Sequence, residues 1–438
     1  MRTSPPYPQP ARRADRGSVL VIVLWIALGL VTLTLYFANA MGFELRASDN
    51  RVSALTADQA IEGATRYVSY VLSTLGTNGI VPDYAAYYRE AVPVGDAHFW
   101  LIGRSYDNQT PSAQPFFGLI DEASKLNLNT ANTNMLALLP RMTTDLATYI
   151  VQWRSTNGDG SQTYAMLHPP YQCKSTNFET TDELRLVYGM TMDILVGEDV
   201  TRNGVLDPGE NDDSRNNLVD SGVLEYVTVY SREPNTKCTN VNNRAQITAL
   251  LRDRLGATRA NEVIRRLGPA TTTFRSPLQF YRSSGLKIDE FTQIGTNISV
   301  TSSLFKQGRV NINTASPVVL ACLPGLTDDL AAQLVSYRQL NPDKIATIAW
   351  VVEALGQNNN TALQTLAGGD YITTQSYQFT ADIAAIGPFG RGYRRVRFVF
   401  DTSEGTPKII YRQDLSHLGW ALGKDARQTW LIAKGTHE

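Results

Sequence analysis

From Ser18 to Phe43 the chain reads "SVLVIVLWIALGLVTLTLYFANAMGF", with no charged residue. An apolar stretch of that length crosses a bilayer as a helix. The pattern then turns amphipathic without losing its period. Leu45, Val52, Leu55, Ala60, Ala64, Val68, Val71 and Leu72 recur at helical spacing between polar residues, which predicts one long helix over 18–75, half in lipid and half packed on a soluble body. Next, "AHFWLIGRSYD" alternates and "FFGLIDEA" is aromatic and apolar, so both read as strands. From Lys125 to about residue 374 the text is mostly helical: "NTNMLALLP", "TDLATYIVQWR", "TTDELRLVYG", "NRAQITALLRDRLG", "ANEVIRRLG" and "IAWVVEALG". These short helices open at Ser, Thr, Asp or Asn and several stop at Gly or Pro. Beyond 374, "YQFTADIAAI", "YRRVRFVFDT" and "PKIIYRQDL" alternate again, joined by the turns "GPFGRG" and "SEGTP". That is an antiparallel three-strand meander. Strands on both sides of a helical block predict an α+β fold: a long-helix-plus-antiparallel-sheet domain interrupted by a large, mostly α-helical insertion.

Inside the helical block one text occurs twice. "KLNLNTANTNMLALLPRMTTDLATYIVQWR" (125–154) and "RVNINTASPVVLACLPGLTDDLAAQLVSYR" (309–338) align without a gap and share Asn-x-Asn-Thr-Ala, Leu-Ala-x-Leu-Pro and a closing Arg. This is an internal duplication. Each copy resembles a helix-hairpin-helix, in which a Gly-x-Gly turn lets backbone amides approach a phosphate. Here the turns are Arg141-Met142-Thr143 and Gly325-Leu326-Thr327, and neither keeps both glycines. Thr143 and Thr327 read as N-caps, with Asp145, Asp328 and Asp329 in the first turn, where carboxylates suit the helix dipole but repel phosphate. The repeats therefore read as helix-packing units, and no nucleic-acid partner is expected.

Charge and cysteine usage refine the compartment. The 438 residues carry a formal net charge of −1, so no global field attracts polyanions. Arg12, Arg13 and Arg16 precede the span and Glu44 is the first charge after it, so the positive-inside rule puts the N-terminus in the cytoplasm and the body outside. An oxidising compartment there would let Cys173 and Cys238 pair, while Cys322 aligns with Leu138 and reads as a small buried apolar residue. Four histidines are scattered without metal-ligand spacing.

The most chemically specific text is the acidic loop over 198–222. Counted from Asp199, twelve residues place Thr201 at position three, Asn203 at five, Gly204 at six, Val205 at seven, Asp207 at nine and Glu210 at twelve. This is the spacing of an EF-hand calcium loop, with oxygen donors for a hard cation, a glycine for the sharp turn and a glutamate to close the site. Pro208-Gly209 argues against a regular exit helix, so the match is to a calcium loop alone. Thirteen residues on, Asp212, Ser214, Asn216, Asn217 and Asp220 repeat the pattern, but position twelve is Val223, which cannot ligate. A second calcium site, separate or sharing carboxylates with the first, stays open.

At "RRADRG" Gly17 follows a short basic leader directly before the apolar run. The placement resembles a type IV prepilin leader, which a prepilin peptidase would cut between Gly17 and Ser18; an uncleaved anchor accounts for the same text. Leader, span, long helix, strands leading into "LNLNTA", the second "VNINTASPVVLACLPGL" and the final "YRQDLSHLGWALG" together resemble the general secretion pathway protein K family, the large minor pseudopilins of type II secretion systems. The resemblance implies a leader (1–17), an inner-membrane helix (18–43), a pilin-like domain (44–123 and 375–438) and an inserted α-domain (124–374) that takes calcium. It implies assembly with other minor pseudopilins into the tip of a periplasmic pseudopilus, and no catalysis. Most pilin-like subunits carry a glutamate at the fifth residue after the cleaved bond, where it meets the amine of the subunit ahead. Here that residue is Ile22, which suits a subunit with nobody ahead of it, because an unpartnered carboxylate in lipid is costly. The alternative is a membrane-anchored DNA receptor of the competence type, which also joins one span to an "NINTA…LPG" hairpin; its short, basic body and lack of a meander fit this chain less well. The text holds no Gly-x-Ser-x-Gly, His-Glu-x-x-His or Walker loop.

Overall fold

The computed structural model describes residues 17–74, 78–104, 114–158 and 160–426. One helix, α1, runs over Gly17–Thr74, as the joined apolar and amphipathic patterns predict. From Val19 its first half is exposed, and the 56 residues Val19–Thr74 contain the one described span apolar enough to cross a membrane. In its second half Ala57, Ala60, Ile61, Ala64, Val68 and Leu72 are buried, three or four residues apart on one face. That face packs on Phe99, Leu101, Phe379, Ile383, Phe398 and Phe400 of an antiparallel sheet. The sheet is six-stranded, in the order Val92–Val94, Ala97–Ile102, Gln378–Ile386, Arg394–Asp401, Lys408–Asp414, with Ile120–Asp121 also paired to Gln378–Ile386. Every residue of Gln378–Ile386 is buried, since α1 covers one face, while on the other its Ala384 and Ile386 pack with Trp100, Ala421 and Leu422.

The chain leaves this sheet at Asp121, opposite Phe379, and returns to it at Gln378. The segment between builds a second hydrophobic core, with residues from Leu126 to Ile372. The two repeats seen in the sequence lie in that core, but the structure holds three. Asn127, Asn240 and Asn311 each end a two-residue strand paired in parallel with a later one, at Thr228, Ser299 and Thr373 respectively. In each unit the Asn Oδ1 accepts the backbone N–H two residues on, at 2.8, 2.9 and 3.0 Å. Each Asn Nδ2 donates to a serine three residues beyond the partner strand: Ser231 at 2.9 Å, Ser302 at 3.1 Å and Ser376 at 2.8 Å. The next asparagine clamps a distant backbone segment, Asn129 at Phe178, Asn242 at Phe274 and Asn313 at Ile345.

A helix pair follows each clamp: Thr133–Ala137 with Thr144–Arg154, Arg244–Leu255 with Ala257–Arg266, and Pro317–Ala321 with Asp328–Leu340. Thr143 and Thr327 cap the second helices of the outer pairs, accepting from Leu146 and Leu330. The middle pair turns instead at Gly256 (φ 77°), with no side-chain cap and no acid in the first turn of Ala257–Arg266. "TTDELRLVYG" forms a 3-10 turn over Thr181–Leu186 rather than an α-helix. The expected cysteine pair is not brought together. Cys173 Sγ lies 3.4 Å from the Trp153 carbonyl and Cys238 Sγ lies 3.5 Å from Lys306 Nζ, and all three cysteines are free. Cys322 is 1% exposed, and burial pushes its thiol up to about 12.

Candidate functional site

The acidic loop begins where Met192–Val196, capped by Thr191, ends at Gly197. Gly197 has φ 62°, and a Cβ there would stand 2.2 Å from the Asp220 carbonyl, so only glycine closes this turn. A bridge between Gly197 and Ser221 ties the loop's base.

Within it, the two thirteen-residue echoes adopt one conformation. Asp199 accepts from the N–H groups of Asn203 and Gly204, both at 2.9 Å. Asp212 accepts from those of Asn216 and Asn217, at 3.2 and 3.0 Å. Asn203 Oδ1 accepts from Val205 at 3.0 Å and Asn216 Oδ1 from Leu218 at 2.6 Å. Arg202 and Gly204 have positive φ (55° and 81°), as do Arg215 and Asn217 (55° and 58°). Glu210 spans the first loop, its carboxylate accepting from Thr201 N at 2.8 Å and Asp207 N at 2.9 Å. In the second loop Val223 cannot do this, and Glu198 does it instead, accepting from Ser214 N at 3.4 Å and Asp220 N at 2.9 Å. Each loop is therefore closed by the glutamate that precedes the other. The sequence reading missed Glu198; the repeated Gly-Glu at 197–198 and 209–210 was its signal.

The first loop is buried against the sheet domain. Arg395, fully buried on Arg394–Asp401, donates to the carbonyls of Thr201 and Arg202. Arg104 donates to the Arg202 carbonyl at 2.9 Å and to Glu225 at 2.8 Å, and stands 3.9 Å from Asp199. Asp207 accepts from Thr201 Oγ1 at 3.1 Å and Asn203 Nδ2 at 2.9 Å. Burial pushes the Asp199 carboxyl up to about 6 despite Arg104, with Glu225 and Glu210 adding to the rise. Asp207 and Glu210 are raised by burial as well. Asp212, on the surface, is lowered by the Asn217 amide. All donors are oxygens, as a hard cation requires. Among the described residues no three His, Cys, Asp or Glu side chains converge tightly enough to hold a metal ion, and the loop's own amides occupy the carboxylates.

Residues 121–196, from the exit out of the sheet to the helix before this loop, match the family model of type II secretion system (T2SS), protein K. Over those residues the chain is similar to protein K. The resemblance read from the sequence is supported over that stretch, and α1 contains one segment long and apolar enough to cross a membrane. Residues 306–344, the third hairpin, match the helix-hairpin-helix motif. No curated protein matches the chain in sequence. Among solved structures it is similar to the GspK-GspI-GspJ complex from the type 2 secretion system of enterotoxigenic Escherichia coli, at 11% identity over 85% of this chain and 99% of that one, with a TM-score of 0.39.

Proposed function

We propose that the chain is a non-catalytic assembly subunit that joins other minor pseudopilins at the tip of a periplasmic pseudopilus. The observation that carries this is the interruption of the sheet between Asp121 and Gln378, filled by a domain with its own core. Such a bulk repeated along a shaft would crowd a helical packing, whereas one copy at the end does not. Ile22 supports the same place, as a subunit with none ahead of it has no amine to neutralise in lipid. The N-terminus stays in the cytoplasm, the body faces the periplasm, and prepilin peptidase cuts between Gly17, with which α1 begins, and Ser18; residues 1–16 of the leader lie outside the described residues. Calcium binds the acidic loops, neutralising the buried carboxylates of Asp199, Asp207 and Glu210, with Thr201, Asn203 and the Val205 carbonyl completing the first set and Asp212, Asn216 and Asp220 serving the second. Mass spectrometry of the membrane-extracted protein tests the class: Ser18 as first residue is expected, and Gly17→Ala should block processing. An intact Met1 terminus in cells with active peptidase would overturn it.

A further inference from the structure

Past the end of α1 the chain folds back onto the segment that re-enters the sheet. Gln375 Nε2 donates to the Asn78 carbonyl at 2.9 Å, and the Ser376 N–H donates to that of Gly79 at 2.8 Å. Gly79 has φ 67°, and a Cβ there would stand 2.7 Å from the Tyr377 ring, so the two segments touch. Further along, Thr374 Oγ1 donates to the Ala346 carbonyl at 3.2 Å, and Asn313, a clamp of the third repeat, holds the Ile345 carbonyl at 2.9 Å. Between these pinned segments and residues 234–238 and 292–297 lies a cavity of about 1020 Å³, shared by the sheet domain and the insertion. Ligand sites favour such junctions, and walls fixed in advance lower the cost of binding. The lining is polar and mostly neutral. Its charged members are Lys237, Asp343 and Glu404, all exposed, one cation against two carboxylates, so neither sign of ion is favoured. Thr347 and Tyr377 line the cavity although only 4% and 5% exposed, and neither hydroxyl has a hydrogen-bond partner among the described residues. Thr236, Thr296 and Asn297 likewise bring side chains with no partner there. Burial raises the Tyr377 phenol above its ordinary range, so it stays a neutral hydroxyl. Polar groups left unpaired in a buried wall cost free energy that a ligand with matching donors and acceptors recovers. Hydroxyls and carboxamides both donate and accept, as the hydroxyls of a sugar do.

We propose that this cavity is a carbohydrate subsite that takes a few residues of a neutral sugar chain, held by the Thr347 and Tyr377 hydroxyls at its buried end and by Thr236, Thr296 and Asn297 nearer the surface. The role goes beyond assembly and does not rest on it. An extended peptide fits less well, since it is read through a free strand edge. Of the residues lining the cavity only Pro234 belongs to a strand, and proline has no amide to donate. The test titrates the full chain, in a detergent without a sugar headgroup, with triacetylchitotriose, cellotriose and an uncharged Gly-Ser hexapeptide by calorimetry. Saturable binding of at least one trisaccharide is expected, and which one binds separates an acetamido sugar chain from a plain hexose chain. Combining Tyr377→Phe with Thr347→Val should weaken that binding about tenfold or more, at one lost hydrogen bond each. Ala346→Trp, which fills the cavity from an exposed position on its wall, should abolish it. No binding of either sugar, binding of the peptide alone, or sugar binding that Ala346→Trp leaves intact overturns the proposal. Because both hydroxyls are unbonded in the free protein, Tyr377→Phe and Thr347→Val should leave the melting temperature unchanged or raised. A fall of several degrees would assign the hydroxyls to the fold and sink their role as ligand contacts.

Discussion

Asp382 sits at the centre of the buried strand, 0% exposed, and faces two cations. Arg395 reaches it through two bonds of 2.8 Å and Arg397 through one of 2.8 Å. Burial alone would raise this carboxyl, but Arg395 and then Arg397 hold it well below the usual range. Asp382→Asn preserves shape and removes the charge, leaving Arg395, itself 0% exposed, with neutral acceptors in place of its carboxylate. Breaking one side of a buried pair costs about 3–5 kcal/mol, because the remaining charge stays desolvated. Urea unfolding of the detergent-solubilised chain should show a loss of that size. Arg397→Gln should cost about 1 kcal/mol or less, since Arg397 is 19% exposed and Arg395 still neutralises the carboxylate. Asp382→Asn combined with Arg395→Met should recover much of the loss, as apolar replacements of buried pairs often do. A depressed carboxyl contributes stability above its ordinary value near 4 that is lost only as pH falls through the folded value. The effect should therefore be flat between pH 5 and 8. A loss under about 1 kcal/mol for Asp382→Asn, or a double variant as weak as the single, would refute this account of the strand.

The third repeat predicts that Asn242→Ala destabilises as much as Asn129→Ala, about 1–3 kcal/mol each by chemical unfolding, since each removes a two-way backbone clamp. An Asn242→Ala variant indistinguishable from wild type would reduce the repeats to two. Asp121, buried at the exit from the sheet and pushed up to about 6 chiefly by burial, favours the protonated form when folded. Its contribution is full below about pH 4 and lost as pH rises through 6, so wild type should lose stability from pH 5 to 7 relative to Asp121→Asn; parallel melting curves would exclude that. If both acidic loops take calcium, Glu198→Gln and Glu210→Gln should each remove part of the calcium-induced rise in melting temperature, and together nearly all of it. That rise corresponds to about 2.7 kcal/mol at hundredfold excess over Kd, and a midpoint indifferent to chelator would leave the loops without a calcium role.

Much of the sheet domain was legible because its signals are local. Period-2 alternation over 97–102 and 378–414 and helical spacing from Leu45 onward each report which face a residue presents, and both survive in the structure. The N-caps Thr143 and Thr327 were legible for the same reason, as a cap bonds an amide three residues away. Glu198 was not. Its partners are Ser214 and Asp220, and the EF-hand spacing sought a closing ligand at Val223, within the loop itself. The cysteines failed in the opposite direction: polar surroundings and compartment permit a disulfide, but only proximity makes one.

The middle repeat escaped notice because what defines the unit is not what makes the text look like a hairpin. Asn240-Val241-Asn242 is followed by Asn243-Arg244 in place of Thr-Ala, and Leu267 stands where Arg154 and Arg338 close the other copies. Those arginines donate to the carbonyls of Leu128 and Ala131, and of Ile312 and Ala315, a service the middle unit does without. All three keep two asparagines, because a two-residue parallel strand leaves backbone groups that must be paired when buried, and an amide side chain offers both donor and acceptor at one point. The serine that completes each clamp arrives 104, 62 and 65 residues after its asparagine, too far and too variably for a periodic search to find. With the frame held there, the helix pairs are free to differ in charge. The outer pairs start their second helices with Thr and Asp, while the middle pair carries Arg252, Arg254, Arg259, Arg265 and Arg266. A helix-hairpin-helix likeness in this chain therefore follows from how the inserted domain is stapled together, and by itself it carries no expectation of a nucleic-acid ligand.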